Sequence, residues 1–186
     1  MTDGPVRDSA SDGASNHARE GGGMDRDRDA AGRPRNARPR DGLGRPLPRS
    51  ADTGTERVPD DLEIVPAEAA ARAASLLAEG RPFHAHEVFE AAWKTGPHDE
   101  RELWQGLAQL AVGITHARRG NPKGAVSLLR RGAQRVSDYA ATAPGSRPYG
   151  IDLAFVISNA EDIAATVERD GLPAVSEASL RFPLSA

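Results

Sequence analysis

The sequence predicts an all-α fold: a compact bundle of about five antiparallel helices, with a disordered N-terminal tail and an extended C-terminal strap. From Val65 to about residue 170, apolar residues recur at spacings of three and four, which is the helical period. No segment alternates in the manner of a β-strand. The connections between the helical segments are short, which favours antiparallel packing of neighbouring helices.

Two parts of the chain differ in composition, and we expect a tail at residues 1–60 and a helical domain at residues 61–186. The tail is rich in Gly, Pro, Arg, Asp and Ser and has almost no large apolar side chains. Such a segment cannot bury enough surface to offset its conformational entropy, so it is expected to be disordered. Residues 26–49 hold eight arginines against three aspartates but no aromatic residue for base stacking, so nucleic acid is not an expected partner.

Capping signals define five helices within the domain. Proline suits the first turn of a helix, Asn and Asp suit the N-cap, and Gly suits the position after the last turn. These signals predict helices at residues 66–79, 82–94, 100–119, 122–143 and 152–171. The last fifteen residues contain two prolines and scattered apolar side chains, and are expected to cross the bundle as an extended strap.

Composition excludes several classes of function. The chain has no cysteine, which rules out disulfides, thiolate catalysis and cysteine-ligated metal centres. Its net charge of −3 gives no general attraction to nucleic acid. There is no apolar signal segment at the N-terminus and no run long enough to span a membrane. We therefore expect a cytoplasmic protein without a membrane partner, and homo-oligomerisation is left open.

The third helix should be buried, because no charged residue occurs between Leu103 and Ala117. It nevertheless carries a polar stripe, Gln105, Gln109 and His116, and buried polar groups need partners. The second helix can supply them, since it presents His86 and Glu90 on its inner face. Glu87 lies beside them.

Three interpretations of this cluster remain open. In the first, His86, Glu90 and His116 bind a divalent metal ion such as Zn, Mn or Fe, and Glu87 is the general base. In the second, the Gln and His side chains of the cluster, with Gln105 and Gln109 among them, bind a polar small molecule without a metal, and the Glu is an acid–base group. In the third, the cluster is a structural polar network that fixes helix register.

The remaining histidines and arginines are expected to be solvated. His84 falls on the far side of the second helix, and His98 lies in a turn. Several arginines near helix ends have the same expectation: Arg118, Arg119, Arg130, Arg131 and Arg135.

Two stretches, HAHEVFEAAW and LWQGLAQLAVGITHARRGNPKGA, together resemble the domain of unknown function 309 family. The matching positions are His86, Glu87, Glu90, Trp93, Gln105, Gly106, Leu107, Gln109, Ala111, His116, Gly120, Asn121, Gly124 and Ala125, and the likeness extends over about residues 65–145. The resemblance implies a small all-helical bacterial or archaeal protein. It also implies the label that the family carries, a predicted metal-dependent hydrolase, here acting on an unknown small substrate. The alternative function is a non-enzymatic helical interaction module whose polar cluster is structural.

Overall fold

The computed structural model describes residues 39–48, 50–51, 63–143 and 145–185, all of which belong to one compact unit, Arg38–Ala186. Within these ranges the secondary structure consists of helices and turns, with no strand. The six α-helices are α1 Pro66–Ala78, α2 Pro82–Thr95, α3 Arg101–Arg118, α4 Pro122–Ala140, α5 Leu153–Asp170 and α6 Glu177–Leu180. The all-α prediction is confirmed, and the five predicted helices agree with α1–α5 to within three residues at each end.

Helix α3 lies at the centre of the bundle. It packs most extensively against α4, and also against α2. Leu103, Trp104 and Ile114 are fully buried along its length. The outer layers follow the chain, because α1 packs against α2 and α5 packs against α4. The absence of charge along α3 is therefore explained by burial on both sides.

Glycines set the distance between α3 and α4. A methyl group added to Gly106 would lie 2.8 Å from a Val136 methyl and 3.0 Å from the Gly132 backbone oxygen. A methyl group added to Gly132 would lie 2.7 Å from Leu110 Cγ and 2.9 Å from the Gly106 oxygen. At Gly113 the nearest atom is Leu129 Cγ, 2.9 Å away. The two backbones approach so closely that larger side chains would separate the helices.

The C-terminal strap is not wholly extended, and here the structure corrects the prediction. Residues 172–174 form a 3₁₀ turn, and the four-residue helix α6 follows, with Ser176 Oγ accepting from the Ser179 amide at 3.0 Å. The strap is fixed to α3 by Arg118, which forms an ion pair of 2.5 Å with Glu177. Arg118 is accordingly half-buried rather than solvated. Beyond α6, the side chain of Phe182 is 1% exposed, so the strap contributes to the core.

The turn at residues 39–48 also differs from the expectation of a disordered tail. Asp41 Oδ1 accepts hydrogen bonds from the amides of Leu43 (3.0 Å) and Arg45 (2.8 Å), which closes the turn locally. The Arg40 guanidinium lies 5.4 Å from the ring centroid of Phe83 on α2. The rest of the predicted tail, residues 1–38, 49 and 52–60, lies outside the described residues.

None of the described helices combines the length and the apolar character needed to cross a bilayer.

The first prediction concerns the glycine contact. We expect Gly132→Ala to lower the free energy of unfolding by at least about 1 kcal/mol, because the added methyl group meets a backbone oxygen that cannot rotate away. The steric cost must therefore be about 2 kcal/mol or more, because alanine gains roughly 1 kcal/mol over glycine inside a helix. Urea unfolding measures the difference. Gly145→Ala is the control, since nothing lies within 4 Å of its Cβ position, and equal stability of the two variants would contradict the packing argument.

Candidate functional site

A cleft of about 220 Å³ opens between α2, α3 and α4. Each helix contributes residues at helical spacing, so one stripe from each helix faces the same space. The lining residues are His86, Glu90 and Trp93 from α2, Gln105, Ala108, Gln109 and Val112 from α3, and Leu128 and Arg135 from α4. The lining is partly apolar, and all three helices contribute polar side chains to it.

His86 and Glu90 lie next to each other on the lining of this cleft. His86 Nε2 lies 3.6 Å from Glu90 Oε2, and Lys94 Nζ lies 3.1 Å from Glu90 Oε1. Burial lowers the pKa of His86 below its ordinary value of 6.5, and nearby Lys94 lowers it further. Glu90 and the Ala108 backbone act in the opposite direction but do not outweigh burial. His86 is therefore neutral near pH 7 and able to accept a proton.

Arg135 reaches the cleft from α4 and is held by α3. Its guanidinium donates to Glu102 Oε2 at 2.6 Å and to Gln105 Oε1 at 2.9 Å. The side chain is 32% exposed, so these bonds are partly shielded from water. The charge of Arg135 is compensated within the protein, and Gln105 is held in one orientation.

Four buried polar atoms on this lining have no hydrogen-bond partner among the described residues. They are His86 Nδ1, Trp93 Nε1, Gln109 Oε1 and Arg135 Nε. Buried polar atoms are normally satisfied by the protein, by water or by a ligand. Of the seven such atoms found in the described ranges, these four belong to residues that line one cleft.

The structure brings four of the six predicted site residues to this cleft: His86, Glu90, Gln105 and Gln109. Glu87, the predicted general base, is half-buried and is not among the lining residues. Its role stays a prediction.

His116 lies instead at the corner between α3 and α4. Asn121 Nδ2 donates to His116 Nδ1 at 2.8 Å, and Asn121 Oδ1 accepts from the Gly124 amide at 3.0 Å as the N-cap of α4. A methyl group on Gly124 would lie 2.8 Å from His116 Nδ1. Gly120, with φ of +75°, ends α3, and the Asn121 amide donates to the His116 carbonyl at 2.9 Å. These residues of the motif thus build the corner itself.

The helix register explains why His116 does not line the cleft. His86 is close enough to the Ala108 backbone for a hydrogen bond that affects its pKa. Ala108 precedes His116 by eight residues, which corresponds to about 12 Å along an α-helix. His86 therefore lies level with the middle of α3, and His116 lies beyond the start of α2.

The donor set in the cleft does not fit a metal centre with three His or carboxylate ligands. His86 and Glu90 supply two ligands, and His116 lies elsewhere. In the part of the chain that the structure describes, no group of three or more His, Cys, Asp or Glu side chains could hold a metal ion.

Trp93 and Arg135 line the cleft although neither is among the predicted site residues. Trp93 is half-buried, and the Arg101 guanidinium lies 5.2 Å from its ring centroid. Arg135 was grouped with the solvated arginines. The spacing of Leu128, Gly132 and Arg135 along one face of α4 is the signal that could have identified it, because a face with a glycine at its centre packs closely on its neighbour.

The expectation that His84 is solvated is wrong. Its side chain is 4% exposed, and its pKa is lowered by burial and by Arg81. The turn at residues 39–48 packs at this end of α2, where Asp41 is near enough to raise the pKa of His84 in part. The sequence placed His84 on the far side of α2 and placed residues 39–48 in the tail, so no segment was expected to cover this face of α2.

Comparison with known families covers the same part of the chain. Residues 70–128 match the family model described as Domain of unknown function (DUF309). The match includes all the cleft residues of α2 and α3 together with Leu128, and Arg135 lies seven residues beyond its end. The resemblance read from the sequence is thereby confirmed for this DUF309 segment, which is 59 of the 186 residues.

A curated relative supports the same assignment. The uncharacterized protein YpuF of Bacillus subtilis (strain 168) is 44% identical over 48 residues, which are 25% of this chain. The match spans 28% of the length of YpuF. No solved structure matches the chain.

The second prediction concerns stability against pH. Because the pKa values of His84 and His86 are lowered in the folded state, the unfolded chain binds protons more readily as the pH falls below about 6.5. Their contribution to stability is present above that pH and is lost as the pH falls toward the lowered pKa values. We expect His84→Gln and His86→Gln each to reduce the stability lost between about pH 7.5 and about pH 5.5, measured by urea unfolding. The exposed His98 provides the control variant His98→Gln, and an equal loss in all three variants would contradict the assignment.

Proposed function

We propose that the cleft between α2, α3 and α4 binds a small polar substrate and that His86 and Glu90 act on it as an acid–base pair. The observation that carries this proposal is a cleft of about 220 Å³ to which three helices contribute polar side chains. The adjacent His–Glu pair, with a neutral imidazole near pH 7, supplies a proton acceptor at the same place.

Hydrolysis is the reaction class that we propose. A water molecule transfers a proton to His86 as its oxygen bonds to the electrophilic carbon of the substrate. Glu90 stabilises the imidazolium that forms, because its carboxylate lies 3.6 Å from Nε2. The proton then passes from His86 to the leaving group as the bond to that group breaks. Gln109 and Arg135 orient the substrate from the facing helices.

A metal ion is not part of this scheme, because the described side chains in the cleft supply two of the three expected ligands. Binding of Zn, Mn or Fe stays a prediction from the sequence and from the family resemblance. If a metal binds, His86 and Glu90 would hold it, and it would lower the pKa of a bound water.

The third prediction tests the acid–base pair. A panel of chromogenic carboxylic esters and amides should contain at least one compound that the full-length chain hydrolyses. We expect His86→Ala and Glu90→Gln each to lower that rate by about 100-fold or more, the usual contribution of a positioned acid or base. His98→Ala, which replaces an exposed histidine in a turn, should leave the rate unchanged.

Metal analysis and thermal unfolding, together with the hydrolysis assay, separate the competing interpretations. Metal analysis of untagged protein, with His116→Ala as a further variant, tests the predicted centre, and we expect this variant to lose stability but not activity. Loss of stoichiometric metal on replacing His116 would instead favour the three-ligand site. If His86→Ala lowers the melting temperature and no compound is hydrolysed, the cluster is structural, and the interaction module becomes the better account.

A further inference from the structure

The ring of Phe83 on α2 is the point at which the turn at residues 39–48 meets the bundle. A Cβ atom added to Gly44 would lie 2.2–2.7 Å from three atoms of this ring, so the Gly44 backbone packs directly on it. The Arg40 guanidinium lies 5.4 Å from the ring centroid and donates to the Gly44 carbonyl at 2.6 Å. The turn therefore holds this ring with both a backbone segment and a cation.

Two further contacts fix this turn relative to the helices. Arg119, which follows the last residue of α3, donates to the Leu43 carbonyl. At the corner between α1 and α2, a Cβ atom on Gly42 would lie 3.4 Å from Arg81 Cγ, which is an ordinary van der Waals contact. The turn therefore has a defined place on the bundle, although it lies outside residues 70–128, which match the family model.

Phe83 also packs beside the imidazole of His86, which lines the candidate cleft. The two residues are three positions apart on α2, and their ring centroids are 6.3 Å apart. His86 Nε2 lies 3.6 Å from Glu90 Oε2, which is longer than a hydrogen bond, and Nδ1 has no partner among the described residues. These contacts hold the imidazole weakly, so its orientation also depends on the ring packed beside it.

We infer that the turn at residues 39–48 positions His86 in the cleft, and that the ring of Phe83 transmits this effect from the turn to the imidazole. The inference rests on the proposed function, since it names an element that regulates the same site from outside it. Phe83 and Gly44 are positioning residues and do not line the cleft. When the turn is displaced, the ring of Phe83 is free to move and water reaches the imidazole from that side. His86 then changes without a change in any residue of the lining.

The charged groups on the cleft side of His86 stay in place when the turn moves. Glu90 and Lys94 belong to the same helix as His86, and Arg135 is held on α3 by its two hydrogen bonds. Burial is the largest influence on the pKa of His86, and it lowers that pKa. Water that reaches the imidazole from the side of Phe83 therefore raises the pKa toward 6.5.

The charged groups of the turn do not reverse this direction. The Arg40 guanidinium leaves with the turn, and the loss of a nearby cation also favours protonation of the imidazole. Asp41 leaves as well, but its charge acts on the pKa of His84 and is not among the influences on the pKa of His86. An upward shift of the His86 pKa is therefore the signature of a displaced turn.

Matched alanine substitutions within the turn test the inference in the full-length chain. Gly44→Ala places a methyl group inside the Phe83 ring and requires alanine at φ of +75°, so the ring or the turn must move. Gly42→Ala is the control, because its methyl group is accommodated at 3.4 Å. The ring resonances of Phe83 report the contact, and those of His86 are titrated with pH by NMR. We expect Gly44→Ala to shift the His86 titration upward, toward 6.5, and Gly42→Ala to leave it unchanged.

A second variant keeps the test available if Gly44→Ala does not fold. Arg40→Gln removes the guanidinium from the face of the Phe83 ring without adding volume. We expect it to shift the His86 titration in the same direction, because the turn then holds the ring less firmly. The exposed His98 serves as an internal reference in every variant, and its titration should not change.

The outcomes distinguish this inference from the proposed function. If the Phe83 resonances move in Gly44→Ala while His86 titrates as in the wild type, or if Gly42→Ala has an equal effect, the turn does not position His86. If the Phe83 resonances do not move, the contact itself is absent and the inference is also overturned. Neither result affects the dependence of hydrolysis on His86, which judges the proposed function.

Kinetics provide a second readout once a hydrolysed compound is found. We expect Gly44→Ala to lower kcat by about tenfold and to leave KM nearly unchanged, because the imidazole is misplaced while the lining is unaltered. A kcat equal to that of the wild type would overturn the inference. If the wild type hydrolyses no compound, the proposed function fails, and the NMR titration alone decides whether the turn positions His86.

Discussion

The close contact between α3 and α4 is the constraint on which the candidate site depends. Gly106 and Gly132 face each other, and a Cβ atom on either would lie 2.9–3.0 Å from the backbone oxygen of the other. Leu128 and Arg135 lie on either side of Gly132 along one face of α4, and both line the cleft. The contact therefore brings an apolar side chain and a guanidinium from α4 to the polar stripe of α3. With larger side chains at these glycines, α4 would stand further away and the cleft would be open on that side.

This packing has an electrostatic consequence, because it removes polar groups from water. The effects differ from group to group. Arg135 is paired with Glu102 and held by Gln105, whereas His86 responds to burial with a lowered pKa. Gln109 retains an acceptor without a partner among the described residues. An interior that served stability alone would satisfy or replace such a group, since leaving it unpaired costs about 1–3 kcal/mol. The concentration of these polar side chains around one cleft is the reason for treating the cleft as a site of function.

Helical periodicity and capping were sufficient to predict the bundle and the bounds of its five long helices. Both depend on residues that are close in sequence. The position of His116 could not be predicted, because it depends on how far α3 is shifted along α2, and periodicity does not define that shift. The burial of His84 and the placement of Arg135 were missed for a related reason: each depends on a segment distant in sequence. Spacing identifies the face of a helix, but contacts between distant segments decide what covers it.

The most direct test of this account is the pKa of His86, measured by NMR titration of its ring resonances in the wild-type chain and in Gly132→Ala. If close packing of α4 on α3 creates a desolvated cleft, the wild-type pKa lies below 6.5, and it moves back toward 6.5 when the added methyl group separates the helices. A wild-type pKa at or above 6.5 would contradict the account. So would a lowered pKa that is unchanged in a folded Gly132→Ala variant.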